Sequence, residues 1–185
     1  TNLSSGKQGY AIAQAAFEAG ARVVLISGPT AIELPYGVEL ERVRSADQMN
    51  AAVRKVAANA DVFVSVAAVA DWKAQALSEG KIKKSDEPPQ LRLTENPDIL
   101  AQTAHDFPSL YCVGFTAETE NVLENARGKL VRKHARLIVA NNARSAIGSD
   151  LNDAVLVTAA SEESSGPVTK ETPVSYTHLT LPTIA

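Results

Sequence analysis

Four polar clusters in this chain carry residue types that could do chemistry, and all four concern an anion or a flat polar ligand. In Asn2-Leu3-Ser4-Ser5-Gly6-Lys7-Gln8-Gly9, two hydroxyls and a permissive glycine precede a helical pattern. Free backbone N–H groups at a helix N-terminus, with Ser4, Ser5 and Gly6 beside them, make an anion site; an ordinary serine cap is the plainer reading. In Ala67-Ala68-Val69-Ala70-Asp71-Trp72, small side chains follow an apolar run. They let a flat ligand approach the backbone, and Asp71 can accept from a ribose or a base; tight packing with Asp71 capping a turn is the alternative. Lys81-Ile82-Lys83-Lys84 puts Lys81 and Lys83 on one side of an extended segment. A lysine aimed at a triphosphate neutralises charge on a departing pyrophosphate, although a solvated charge run explains the tract as well. In Arg127–Lys133, Lys129 and Lys133 stand four apart and share a helix face. They suit a polyphosphate, and they also suit the negative end of their own helix.

Other chemistries find no support. The dinucleotide fingerprint G-x-G-x-x-G and the Walker A loop are absent, and so is the hydrolase elbow G-x-S-x-G. No Tyr-x-x-x-Lys pair starts from any of the tyrosines, which disfavours a short-chain oxidoreductase. His105, His134 and His178 are scattered, and no metal ligand set can be assigned. The 185 residues are 45% hydrophobic and 21% charged with a net charge of −3, a balance that argues for neither nucleic acid nor an anionic membrane as partner. The one cysteine, Cys112, sits in an apolar stretch, so a disulfide framework is excluded and a reducing compartment is expected. With no basic-then-apolar leader and no apolar run long enough to span a bilayer, a soluble cytoplasmic protein is expected.

The elements that must position these clusters alternate. Tyr10, Ile12, Ala13, Ala16 and Phe17 recur at helical spacing and Gly20 ends the helix; Arg22–Ser27 and Val38–Val43 read as strands. Ser45 and Gln48 form a capping box that opens a helix to about Asn59, and Asp61–Val66 is a strand buried on both faces. After the long connection 67–84, Leu91–Thr94 is a short strand. Asn96-Pro97-Asp98 starts a helix, read as a cap, a proline at the first helical position and an acid in the first turn. Leu110–Phe115 is a strand, Thr119 to about His134 a helix, and Arg136–Ala140 and Ala154–Thr158 are strands. Such alternation specifies an α/β fold with a parallel-rich, Rossmann-like sheet and helices on both faces. Ligands of such sheets sit beyond the carboxyl ends of the strands, here Ala67–Asp71, Thr116–Glu118 and Asn141-Asn142. One domain spans 1–172. Residues 173–185 carry no Asp, Glu, Lys or Arg and read as a cloning or assembly scar or as a disordered tail.

Taken together, TNLSSGKQGYAIA (1–13), AAVADWKA (67–74), KIKK (81–84), ENPDIL (95–100), VGFTAET (113–119) and LIVANN (137–142) resemble phosphopantothenate–cysteine ligases. In bacteria these are usually fused to a flavin-dependent decarboxylase. The resemblance implies that CTP, with Mg²⁺, activates 4′-phosphopantothenate as an acyl-cytidylate and that cysteine then displaces CMP. It implies that Asn2 handles the acyl-cytidylate and that Lys81 serves the activation step. Ala67 and Asp71 would contact the nucleotide, as would Asn96, Pro97, Asp98, Ile99 and Phe115, and Lys129 and Lys133 match nucleotide-binding lysines. It favours function over the plainer readings of KIKK and of the 129/133 pair, and it implies a homodimer. Three features of the family find no counterpart in these residues: a first strand with a glycine-rich turn, the flavoprotein half and a closing helix. A nucleotide-binding module without catalysis is therefore the rival reading. CTP and ATP are not distinguished, because base choice rests on backbone groups around Ala67.

Overall fold

The computed structural model describes residues 5–75, 91–118, 120–142, 154–159 and 162–164. Helix α1 (Lys7–Glu18) leads into β1 (Val24–Ser27), β2 (Glu39–Arg42), α2 (Ala46–Ala57) and β3 (Val62–Ser65). Then come β4 (Trp72–Ala74), β5 (Leu93–Glu95), α3 (Ile99–Asp106) and β6 (Tyr111–Glu118). Helix α4 (Val122–Lys133) and strands β7 (Leu137–Asn142), β8 (Ala154–Thr158) and β9 (Glu162–Ser164) complete the described elements.

The architecture is α/β and parallel-rich, as expected, although the strands fall into three ladders. Strands β1 and β2 pair in parallel. Strands β3, β6 and β7 pair in parallel, and β8 and β9 extend that sheet antiparallel in the order β3-β6-β7-β8-β9. Strands β4 and β5 form a separate antiparallel pair. Among the described residues no ladder joins β1 to β3.

Alternation along the long strands divides the interior in two. Cys112, Ile138, Ala140 and Val157 pack with Leu100 and Ala104 of α3 and Ala126 and Leu130 of α4. Val113, Leu137 and Val139 form a second cluster with Val64, Phe115 and Leu156. Gly114 permits the close approach of α3: a Cβ there would stand 2.7 Å from Leu100 Cδ2 and 2.8 Å from Ile138 Cδ1.

Helix ends follow local chemistry. Gly20 (φ +91°) closes α1: its N–H donates to Phe17 O, and the Ala21 N–H reaches back to Ala16 O. Ser45 Oγ accepts from the Gln48 N–H at 3.2 Å. The Gln48 side chain answers at the Arg44 N–H rather than at that of Ser45, a capping box displaced by one residue. Three expectations need correction. The N-cap of α1 is Gly6 (φ +81°), while Ser5 Oγ only accepts from the Lys7 N–H, so the serine-cap reading fails at Ser5. Helix α3 is capped by Asp98, not Asn96, because the Asn96 backbone and amide are engaged elsewhere and Pro97 lies outside the helix. Helix α4 starts at Val122 rather than Thr119, after Asn121 in a left-handed conformation (φ 51°). Strand β6 also runs to Glu118, its pairing with β7 continuing through Glu118↔Asn142, so Thr116–Glu118 belong to the strand end itself.

Candidate functional site

Beyond the end of β3, the chain at Ala67–Asp71 is held from the side by Asn96. The Asn96 N–H donates to Asp71 O at 2.8 Å, and Asn96 Nδ2 donates to Ala70 O at 2.8 Å. Ala67 and Asp71 remain exposed. Two residues on, Asp98 does two things. Its Oδ1 accepts the Ala101 N–H at 3.1 Å and caps α3, and its Oδ2 accepts from Lys133 Nζ. One turn back on α4, Lys129 Nζ donates to the Phe115 carbonyl at 2.6 Å.

These contacts form a set of three separate links: Asn96 to the Ala70 and Asp71 carbonyls, Lys133 to Asp98, and Lys129 to the Phe115 carbonyl. The β4–β5 pairing supports the first, since Trp72↔Glu95 sets the register that brings Asn96 beside Asp71. Lys73 Nζ pairs with Asp47 at the start of α2 and ties the same hairpin to that helix. Ile99 is buried, and it enters the interior at the first turn of α3.

The electrostatics centre on Lys129. Burial pushes its ammonium below the ordinary lysine range, and the positive charge of Lys133 and then Arg132 adds to this; Glu118 and Asp98 oppose it. Glu118 closes the strand-end segment Thr116–Glu118 named from the sequence, but the sequence assigns it no role. Its two carboxylate oxygens accept from the Thr116 hydroxyl at 2.7 Å and from Asn125 Nδ2 at 3.2 Å. Asn125, Lys129 and Lys133 recur every four residues along α4, a spacing that could have drawn attention to Asn125.

Gly6 and Ser5 lie at the α1 terminus, docked on the loop after β1 through Thr30 Oγ1, which donates to Ser5 O at 3.1 Å. They join none of the three links above. Asn2, Ser4 and Lys81 lie outside the described residues. A shallow concavity between the end of β2 and α2, lined by Arg42, Arg44, Gln48 and Lys55, includes none of the candidate residues. No helix among the described residues is long and apolar enough to cross a membrane.

A parallel-rich sheet flanked by helices defines the class: an α/β domain with a Rossmann-like architecture. Within that class, residues 1–180 match the family model for the DNA/pantothenate metabolism flavoprotein C-terminal domain, and the chain belongs to that family. It is 45% identical over 145 residues to the coenzyme A biosynthesis bifunctional protein CoaBC of Vibrio parahaemolyticus, covering 77% of this chain and 36% of the relative. With the CoaBC of Bacillus subtilis it shares 41% identity over 156 residues, 82% of this chain and 38% of that protein. Its fold matches a crystal structure of the C-terminal domain of CoaBC with a TM-score of 0.74 at 35% identity, covering 88% of this chain and 74% of the other. The chain thus spans little more than a third of the full-length relatives.

Proposed function

We propose that this chain carries the phosphopantothenate–cysteine ligase activity of coenzyme A biosynthesis. The observation that supports the reading is that the motif positions are held in place by three links, Asn96 to the Ala70 and Asp71 carbonyls, Lys133 to Asp98 and Lys129 to the Phe115 carbonyl. A carboxylate is a poor acylating agent, so the reaction needs a leaving group, held reactants and screened phosphate charge. A carboxylate oxygen of 4′-phosphopantothenate attacks the α-phosphorus of CTP; the bond to the bridging oxygen breaks and pyrophosphate leaves. The cysteine amine then attacks the acyl carbon, loses a proton and expels CMP.

In this reading Lys129 and Lys133 face the phosphates. The exposed, small-side-chain segment at Ala67 lets the base reach backbone groups, with Asp71 beside it. Asn2 and Lys81 take the roles their motifs imply: handling of the acyl-cytidylate and of the triphosphate. Among the described residues no group of three His, Cys, Asp or Glu side chains converges. Mg²⁺ would accompany the nucleotide and screen its phosphate charge. A homodimer, and a flavin-dependent decarboxylase fused to or associated with this domain, belong to the same proposal.

The test is pyrophosphate release with 4′-phosphopantothenate, cysteine, Mg²⁺ and either CTP or ATP. It is run on this chain and on a version extended at its start by the matching segment of the Vibrio parahaemolyticus relative. Release with CTP that requires phosphopantothenate is the expected result; silence in both proteins overturns the ligase reading.

A further inference from the structure

Helix α4 carries both lysines of the candidate site, yet its start lacks the usual anchor. Its N-cap residue Asn121 is left-handed and makes no side-chain capping bond. The helix is fastened one turn further in, at Asn125, whose amide Nδ2 donates to the Glu120 carbonyl at 3.1 Å and to Glu118 Oε2 at 3.2 Å. The other oxygen of Glu118 takes the hydroxyl of Thr116, which is buried and needs an acceptor. Lys129 stands one turn beyond Asn125 and donates to the Phe115 carbonyl of the same strand, so two consecutive turns of α4 are pinned to the end of β6. Lys133, a further turn on, is pinned to Asp98.

We infer that Glu118 is a positioning residue: by joining Thr116 and Asn125 it sets the register of α4 on β6 and so places the Lys129 and Lys133 ammonium groups for a triphosphate. The inference rests on the nucleotide reading of those two lysines. Glu118 itself touches no ligand in this scheme. It also places a negative charge near Lys129 without pairing with it, since Lys129 spends its described bond on a carbonyl. The charged groups acting on Lys129 are Lys133 and Arg132 on its own helix, Glu118 from β6 and Asp98 from the start of α3. Of the two acidic groups that hold Lys129 protonated, Glu118 acts the more strongly, so removing its charge lets the lysine lose its proton at lower pH.

Two variants separate position from charge. Glu118→Gln removes the charge and disturbs the Thr116–Asn125 bridge; Asn125→Ala removes one tether and leaves the charge. Two measurements are made on the full chain: the titration of the Lys129 ε-carbon by NMR, and CTP affinity with Mg²⁺ from pH 6.5 upward. Glu118→Gln is expected to lower the Lys129 titration midpoint, to weaken CTP roughly twofold to tenfold at neutral pH, and to bring the alkaline loss of affinity to lower pH. Asn125→Ala is expected to weaken CTP by a similar factor while the Lys129 midpoint stays in place. Unchanged CTP affinity in both variants of a wild type that binds overturns the inference. If wild type binds no CTP, the nucleotide reading fails, and the inferred role falls with it even where the titration shift is seen. Should Glu118→Gln fail to fold, Asn125→Ala decides by affinity alone, and wild-type affinity in it overturns the inference.

Discussion

Replacing Asp98 separates two functions that one carboxylate performs. Its Oδ1 caps α3 at the Ala101 N–H, and its Oδ2 holds Lys133. Asparagine keeps an acceptor for the cap and loses the ion pair, whereas alanine loses both. A cap of this kind is worth about 1 kcal/mol. The pair joins side chains that are 21% (Lys133) and 42% (Asp98) exposed, so solvent screening holds its contribution to between about 0.2 and 1 kcal/mol. Asp98→Asn should therefore cost about 0.5 kcal/mol and Asp98→Ala about 1.5 kcal/mol. Urea unfolding followed by circular dichroism resolves the two. With a slope of roughly 1–3 kcal/mol/M for a chain of this size, the alanine variant moves its midpoint down by about 0.5–1.5 M and the asparagine variant by a third of that. Repeating the measurement in 1 M NaCl should shrink the cost of Asp98→Asn, because only the ion pair is screened. Equal losses for the two variants would show that Asp98 does not cap α3, and the assignment of its two oxygens would be wrong.

Gly37→Ala should be far more damaging than its surface position suggests. Gly37 has φ +78°, and a Cβ there would stand 2.1 Å from the ring of Phe17; strain and overpacking together cost roughly 2–4 kcal/mol, so an unchanged melting temperature would contradict the placement of that ring. Cys112, with 1% of its surface exposed, should react with a thiol reagent at pH 8 only as fast as the protein unfolds, and rapid reaction in the native state would place the thiol outside the core. Burial also raises its pKa. The associated stability is therefore complete below the unfolded thiol's pKa of about 8.5 and is lost as pH rises from there toward the folded value.

Much of the fold was legible because its signals are local. The apolar runs at Arg22–Ser27 and Asp61–Val66 each contain a strand, Arg136–Ala140 marks one that runs on to Asn142, and Gly20 and Ser45 mark helix ends through bonds to residues within five positions. What escaped depends on distant partners. Trp72–Ala74 is a strand only because Leu93–Glu95 lies beside it, and Glu162–Ser164 only because β8 does. Asn96-Pro97-Asp98 looks like a cap followed by proline, but Asn96 is drawn off to Ala70 and Asp71, and the cap passes to Asp98. At the candidate site, residue types and the four-residue spacing of Lys129 and Lys133 suggested an anion, and the family motifs supplied the remaining positions. The link from Asp98 to Lys133 crosses 35 residues, and no local pattern encodes it. The segment Thr116–Glu118 was legible as a strand end, but the role of Glu118 was not, because its partners, Thr116 and Asn125, lie on two different elements.

The pair of hydrogen bonds from Asn96 to the 70–71 backbone has a mechanical consequence. Two chain segments separated by 26 residues are fastened at adjacent peptide groups, so neither can swing outward without the other. Fixing one residue's backbone costs about 1–2 kcal/mol in conformational entropy. Here that ordering is completed when the hairpin β4–β5 forms, before any ligand arrives. A molecule that settles against Ala67–Asp71 thus meets a floor already assembled, and its affinity is not reduced by the ordering of two loose loops.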